Sequence, residues 1–449
     1  MTREHSETEE GNLAYPSYVL FVLCLASVIS FLDRQIINLL VDPIKADMGL
    51  SDTQISLLQG FAFALFYSLA AIPLGRMVDG RNRKKIIALG MVLWSFATAL
   101  CGLSRYFWQL FVARMIVGIG EATLFPGGFS MLADYFPRKT LTRALSIFNG
   151  STFFGAGLAL IIGGQIYGAM DNMDNPNLPF VGSVSPWQLT FMAVSLPGLL
   201  LVVLLLLTVK EPKRTGANHD NGGEVYSLRD GWHYLKSNKA TLAPIIFGTS
   251  LVAMSLYSIA SWTPSFYIRT YGMTPAEIGS IFGLYFVVFG GAGVICGGFL
   301  ADWLKGRGRS DSNILAGLIA VFCAIPFIVL YPLVDDLQLS LWLLAPVMFF
   351  GSMPYGTGPT ALPLLVPNRL RGQVMGIYML IVNLIGQGCG PWIVALFTDY
   401  VVGDPDKVGI SISVVCSIGF TCAAIVFLFG RKPFGEQIAK EEQVISQPG

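Results

Sequence analysis

Four charged residues stand inside stretches that otherwise read as apolar: Asp33 and Arg34 in FLDRQIINLL (31–40), and Arg114 and Glu121 in ARMIVGIGEATLFPGG (113–128). Charge in the middle of a bilayer is costly, so such residues pair with one another or line a polar path, and they mark function by default. Asp33 and Arg34 are neighbours in sequence, hence about 100° apart around a helix, and do not face each other squarely. Each needs another partner. Arg114 and Glu121, seven residues apart, lie two turns up one face of a second helix and are the available candidates. Two carboxylates and two guanidiniums in a low-dielectric site can exchange protons and bind anions. A carboxylate prefers its neutral form unless a cation is near, and a guanidinium forks onto carboxylate or phosphate oxygens. The bland alternative is a static ion-pair network that locks two helices together.

The elements that must position these charges are membrane helices. The chain has 449 residues, 53% hydrophobic and 13% charged, with a mean hydropathy of +0.62, far from the composition of a soluble domain. Twelve apolar runs of spanning length are expected, near 18–41, 55–75, 85–103, 107–132, 144–168, 187–209, 242–268, 278–301, 313–333, 340–364, 373–397 and 409–429. Of the 29 Lys and Arg, 23 fall in segments on the N-terminal side, four (Lys45, Arg105, Arg269, Lys407) in the opposite loops, and Arg34 and Arg114 within helices. The positive-inside bias puts both termini in the cytoplasm of a cell (inner) membrane protein. MTREHSETEEGN has no basic region before a short apolar core, so no cleaved signal peptide is expected. All seven Cys lie in the expected helices as small apolar groups, with no disulfide or zinc spacing. Neither GxxxxGK[ST] nor HExxH occurs. These absences speak against nucleotide-driven pumping and metal hydrolysis, and no cofactor, metal, enzymatic activity or nucleic-acid partner is expected.

An internal repeat organises the chain. MGLSDTQISLL (48–58) matches YGMTPAEIGSI (271–281), aligning Gly49 with Gly272 and Ser51-x-x-Gln54 with Thr274-x-x-Glu277, each a capping box. The same offset of 223 takes Gly75-x-x-x-Asp79 onto Gly298-x-x-x-Asp302, and at 230 FPRKTLTRALSIF (136–148) falls on VPNRLRGQVMGIY (366–378). Two six-helix bundles, 18–209 and 241–430, are thus joined by a polar cytoplasmic linker, 210–240, and flanked by cytoplasmic tails, 1–17 and 431–449. Parallel repeats of this kind place a site between them near the midplane.

The Gly-Asp-basic loops resemble the loop signature of the major facilitator superfamily. The resemblance implies an all-α membrane protein of the major facilitator fold, with twelve transmembrane helices in two pseudo-symmetric halves and helices 1 and 4 lining the central cavity. Asp79, Arg83, Arg138 and Asp302 are then expected in a cytoplasmic gate, as latch groups rather than substrate ligands. The second half has no counterpart to the buried charges: positions 256 and 257, matching 33 and 34, are Leu and Tyr, and VMFFGSMPYGTG (347–358) is uncharged. Its polar tips are scattered, with Tyr257, Trp262, Tyr355 and Asn383 the expected substrate contacts beside Arg34, Arg114 and Glu121. Such asymmetry suits an amphipathic substrate, head toward Arg34 and tail toward the second half, although each apolar residue taken singly is explained by helix packing.

FLDRQ, LSDTQISLLQ, GRMVDGRNRKK, LGMVLWSFATAL and RMIVGIGEA followed by FPGGFSMLADYF resemble, in order and over about residues 18–165, the Spinster family of lipid transporters. The second half carries only general superfamily features. Gly80 replaces the arginine that commonly follows the loop aspartate, and FNGSTFFGAGLALIIGG lacks the Gly-Pro pair of the drug antiporter motif. The resemblance implies proton-coupled, alternating-access transport of lysolipids or sphingosine-1-phosphate-like lipids by a monomer. Asp33 and Glu121 would couple protons, Arg34 and Glu121 would bind the head group, and Arg114 would support Glu121. Alternatives are a proton-coupled carrier of a small organic anion such as a hexuronate or sugar acid, with Arg34 as carboxylate clamp, and a lipid scramblase or lipid-modifying enzyme.

Overall fold

Local chemistry fixes where the helices begin. Ser51 Oγ accepts from Gln54 N (3.2 Å) while Gln54 Oε1 accepts from Ser51 N (3.0 Å). Thr274 and Glu277 repeat the exchange at 3.2 and 2.8 Å. Just ahead of these two caps, Gly49 (φ 66°) and Gly272 (φ 67°) end the preceding helix in the left-handed region, which costs glycine nothing. The internal repeat is therefore a repeat of helix stop and helix start.

The structure, a computed structural model, describes residues 13–173, 177–178, 182–214, 228–367 and 370–446. Twelve helices among them are long and apolar enough to span a membrane. In the first half these are spans 1 to 6: Ala14–Leu39, Asp52–Val78, Arg83–Leu103, Phe107–Tyr135, Lys139–Asp171 and Pro186–Thr208. In the second half they are spans 7 to 12: Lys239–Tyr271, Pro275–Gly306, Ser312–Leu330, Leu337–Leu362, Arg371–Val402 and Pro405–Lys440. An even number of spans brings the start of span 1 and the end of span 12 to one face, here the termini face; the other is the far face. Large apolar side chains such as Phe21, Leu200, Leu207, Phe322 and Phe429 point outward, as a lipid-facing perimeter requires.

Three details depart from the expected runs. Span 1 breaks at Leu40 and continues as a short helix, Val41–Met48. A helix at Leu228–Ser237 lies in the linker, where Tyr234 Oη donates to Leu365 O (2.7 Å). The last helix runs on through Pro433 to Ser446. A two-residue pairing, Asn177–Leu178 with Gly182–Ser183, stands between spans 5 and 6.

The halves meet at the far face. A cluster including Leu39, Ile44, Ile55 and Leu110 of the first half is continuous with Trp262, Phe266 and Phe282 of the second, while Val19, Leu23, Trp94, Met131 and Leu205 form a separate core toward the first half's termini face. Spans 5 and 8 cross backbone to backbone: a Cβ on Gly157 would come within 2.5 Å of Gly283 O, and one on Gly283 within 2.4 Å of Gly157 O. Further toward the far face, Gly164 and Gly279 meet Pro275 O and Leu160 O in the same way. Spans 2 and 11 approach as closely, with Gly60 against Gln387 O. Both of the latter residues sit in π-helical turns, Leu57–Phe61 and Leu384–Cys389, a form often found at functional sites.

Candidate functional site

The charges of spans 1 and 4 come together near the middle of the first half. Arg34 Nη2 donates to Glu121 Oε2 at 2.6 Å, and Ser30 Oγ, one turn back on span 1, donates to the same oxygen at 2.7 Å. The Arg34 side chain is 9% exposed and that of Glu121 not at all. Aromatic rings wall the guanidinium: its carbon lies 4.3 Å from the Phe63 ring centre, 4.7 Å from Phe31 and 5.4 Å from Tyr67. A cation over ring faces is stabilised while water is excluded. The pair is not saturated, since Arg34 Nε and Glu121 Oε1 are buried without a hydrogen-bond partner. A donor and an acceptor remain side by side, the set that a ligand bearing both an anionic oxygen and a hydroxyl or amine could complete.

Asp33 points elsewhere, as adjacent helix positions require. It is fully buried, neither carboxylate oxygen has a hydrogen-bond partner, and its neighbours are Trp94 and Thr98 of span 3. The Trp94 Nε1 and Thr98 Oγ1 groups are themselves without partners. Arg114 spends its donors on main chain: Nη1 to Asp33 O (2.9 Å), Nη2 to Arg34 O (3.3 Å) and Nε to Leu58 O (3.3 Å). It therefore holds spans 1 and 2 against span 4, and its hydrogen bonds do not go to Glu121. Beyond Arg34 a polar chain leads into the other half: Asn38 Nδ2 to Gln35 Oε1 (2.6 Å), then Gln59 Nε2 to Asn38 Oδ1 (3.2 Å) and to Ser261 O (3.1 Å). Ser30, Gln35, Asn38 and Gln59 were not singled out from sequence. The available signal for the first three is polar residues within one turn of Arg34 on an apolar helix; Gln59, on span 2, has no such neighbour to mark it.

The second-half positions separate into two groups. Tyr257 lies within electrostatic reach of Arg34, and Tyr355 reaches Phe153 of span 5 edge-on (6.2 Å between ring centres); both face the seam. Asn383 is half-buried at the start of the π turn in span 11. Trp262, by contrast, is fully buried and donates Nε1 to Pro391 O at 2.9 Å, a contact internal to the second half.

At the far face the seam is ionic. Arg269 Nε donates to Asp42 Oδ1 (2.8 Å), and Nη1 and Nη2 fork onto the two oxygens of Asp52 (2.9 Å each). Lys45 also binds Asp52. Thr53 N and Oγ1 donate to Asp399 Oδ2 at 2.8 and 2.6 Å. Burial raises the Asp42 carboxyl above its ordinary value, Arg269 and Lys45 offsetting only part of that cost. At the termini face Arg83 is buried and bound within its own half, to Asp134, to Glu211 Oε1 (2.8 Å) and to Ser130 O (3.0 Å). Asp302 is exposed on span 8. The side chains of Asp79 and Arg138 lie outside the described residues.

Comparison with known proteins agrees with this architecture. The chain is 27% identical over 369 residues (74% of this chain, 75% of the other) to a probable galactarate/D-glucarate transporter of Bacillus subtilis. It is 25% identical over 405 residues (85% and 73%) to protein spinster homolog 1 of Xenopus tropicalis. Its fold matches a solved bacterial homolog to the human lysosomal transporter Spinster, in an inward-facing and unoccupied conformation, with a TM-score of 0.80 and 24% identity over 98% of this chain and 100% of that one. The Major Facilitator Superfamily model matches residues 23–391, and the chain belongs to that superfamily: an integral membrane transporter.

Proposed function

We propose that the protein is a proton-coupled transporter of lysolipids or sphingosine-1-phosphate-like amphiphiles that works by alternating access, with both termini in the cytoplasm of the cell membrane. The observation that carries this reading is the unsaturated Arg34–Glu121 pair, walled by Phe31, Phe63 and Tyr67, with the uncharged Tyr257 and Tyr355 of the second half at the seam. Arg34 grips the anionic head group, and Glu121 exchanges between Arg34 and a proton as substrate enters. Asp33 is the second protonatable group, held where neither oxygen is hydrogen-bonded. Arg114 is a positioning residue, fixing the backbone that carries both. The Arg269–Asp42–Asp52 seam closes the far side in this state, and Asp79, Arg83, Arg138 and Asp302 form the gate at the cytoplasmic end in the opposite one.

A second reading, a carrier for a small organic anion, is favoured by the similarity to a probable galactarate/D-glucarate transporter and by the same Arg34 clamp. Flux into proteoliposomes separates them. Lysolipid movement driven by a pH gradient, and not inhibited by galactarate, supports the first; gradient-driven galactarate uptake unaffected by lysolipid overturns it in favour of the second.

A further inference from the structure

The termini-side ends of the two halves derive from one repeat but pair their guanidiniums and carboxylates in opposite ratios. In the first half span 3 starts after the cap Asn82, and two carboxylates share one guanidinium. Asp134 and Glu211 both bind Arg83, and the other Glu211 oxygen accepts the Lys84 N–H at 2.8 Å. The chain supplies its own anion. In the second half span 9 starts after Asp311, whose side chain makes no capping hydrogen bond, and two guanidiniums share one carboxylate. Arg309 binds Asp311 through Nε and Nη2 (2.9 and 3.0 Å), and Arg431 binds it through Nε (2.8 Å). Glu211-Pro212 after span 6 corresponds to Lys432-Pro433 after the apolar part of span 12. A carboxylate has been exchanged for an ammonium.

Beside this cationic cluster is a cavity of about 130 Å³. Lys305, Arg309, Ser312 and Asn313 line one side of it, and Phe434 and Ile438, from the helical extension of span 12, line the other. The volume has room for several waters, and so for a phosphate group. Nearby, Arg307 stacks on the half-exposed Trp303 at 3.7 Å from the ring centre, an arrangement suited to the head-group level of a membrane. We infer that this cavity binds a phosphate-bearing anion, either the head group of an anionic phospholipid from the adjoining leaflet or free phosphate. Lys305 and Arg309 contact the phosphate oxygens, and Phe434 and Ile438 cover the ligand's apolar side. The site is remote from Arg34 in the repeat and does not depend on what the protein transports.

Native mass spectrometry of the full-length protein in a non-ionic detergent tests the inference without a gradient or transport. It is titrated with phosphatidylglycerol, phosphatidylcholine or inorganic phosphate. One saturable site for phosphatidylglycerol or phosphate is expected. Binding at that site should weaken tenfold or more in the double variant Lys305→Gln/Arg309→Gln. It should weaken likewise in Ser310→Glu, which places a carboxylate of the chain at the cavity rim and removes no cation. Phosphatidylglycerol binding without phosphate binding identifies the lipid as source; comparable binding of both identifies free phosphate. Equal binding of phosphatidylcholine, no saturable site for either anion, or unchanged affinity in Ser310→Glu overturns the inference. Ser310→Glu carries the test should the double variant fail to fold.

Discussion

Two of the ion-pair systems differ in what they join. Arg34–Glu121 lies within the first half, buried and ringed by aromatics. The Arg269–Asp42–Asp52–Lys45 system joins the halves at the far face; its central Arg269–Asp52 fork is buried, while the outer members are partly wet, Asp42 29% exposed and Lys45 16%. Breaking a buried pair strands a desolvated charge at a cost of about 3–5 kcal/mol, whereas an exposed pair is worth about 0–1 kcal/mol because water takes over. Burial of the central pair does not separate the two systems. The seam that must open in each cycle keeps outer members, Asp42 and Lys45, that water reaches as the mouth parts; the pair that stays assembled inside one half has none as exposed. The location of each pair thus matches whether it travels with one body or bridges two.

Glu121→Gln offers the sharpest break in this comparison. Gradient-driven uptake should be lost while exchange of substrate for substrate persists, because a permanently neutral group still fits ligand but no longer titrates; proteoliposome uptake with and without a pH gradient reads both. Unchanged driven uptake would remove Glu121 from coupling. Next is Arg34→Lys, which keeps charge and loses the fork. Loss of a charge-assisted hydrogen bond of about 1.5–3 kcal/mol corresponds to a binding decrease of roughly ten- to a hundredfold. Near-wild-type lysolipid binding would show that Arg34 balances charge and does not grip. Arg34→Ala should be worse still, stranding Glu121.

At the seam, Arg269→Gln should shift the population toward states open at the far face. The loss is about 1–2 kcal/mol, between the exposed and buried limits, or roughly a five- to thirtyfold change in the equilibrium. Spin-label distances across the far mouth should lengthen, with substrate affinity little altered; unchanged distances would show that the seam carries no such weight.

The smallest effect is on pH. Burial raises the Asp42 carboxyl in the sealed state, so if opening returns it to its ordinary value, protons bind the sealed state more tightly. Acidification from neutrality toward the carboxylate range should then favour sealing slightly. At Asp311 burial is outweighed by Arg309 and Arg431, which hold the carboxyl below its ordinary value. Its contribution should persist above the ordinary carboxylate range and be lost only as pH falls through the lowered value. Far-mouth distances recorded between pH 7 and pH 4.5 in wild type and Asp42→Asn check the contrast; identical responses would remove Asp42 from the pH effect.

What was legible in the sequence was local. The caps at Ser51 and Thr274 and the glycines before them involve partners three or four residues away, so short matches suffice to reveal them. The divergence of Asp33 and Arg34 follows from helix geometry alone. Arg114 illustrates the limit: its spacing from Glu121 puts both on one face, but the tilt and depth of span 4 against span 1 direct its guanidinium to main-chain carbonyls that every residue possesses. Ser30 was hidden for the opposite reason, since serines inside membrane helices commonly bond to their own turn, as Ser250 does to Ile246 O. The Arg269–Asp42 contact spans 227 residues; loop charges counted for orientation carry no information about which of them meet.

The crossing of spans 5 and 8 has a mechanical consequence. Where side chains interlock, one helix can turn against another only if rotamers reorganise together, which gives discrete, costly steps. At Gly157 and Gly283 backbone meets backbone. The side chains beside each glycine are one aliphatic group from the facing helix, Val287 and Ile161 respectively, so a few degrees of roll disturb few interlocked side chains. This close crossing between the halves is placed to act as a fulcrum, on which a small roll becomes a wide swing at the distant ends of the spans. A methyl group added at Gly283 would wedge it.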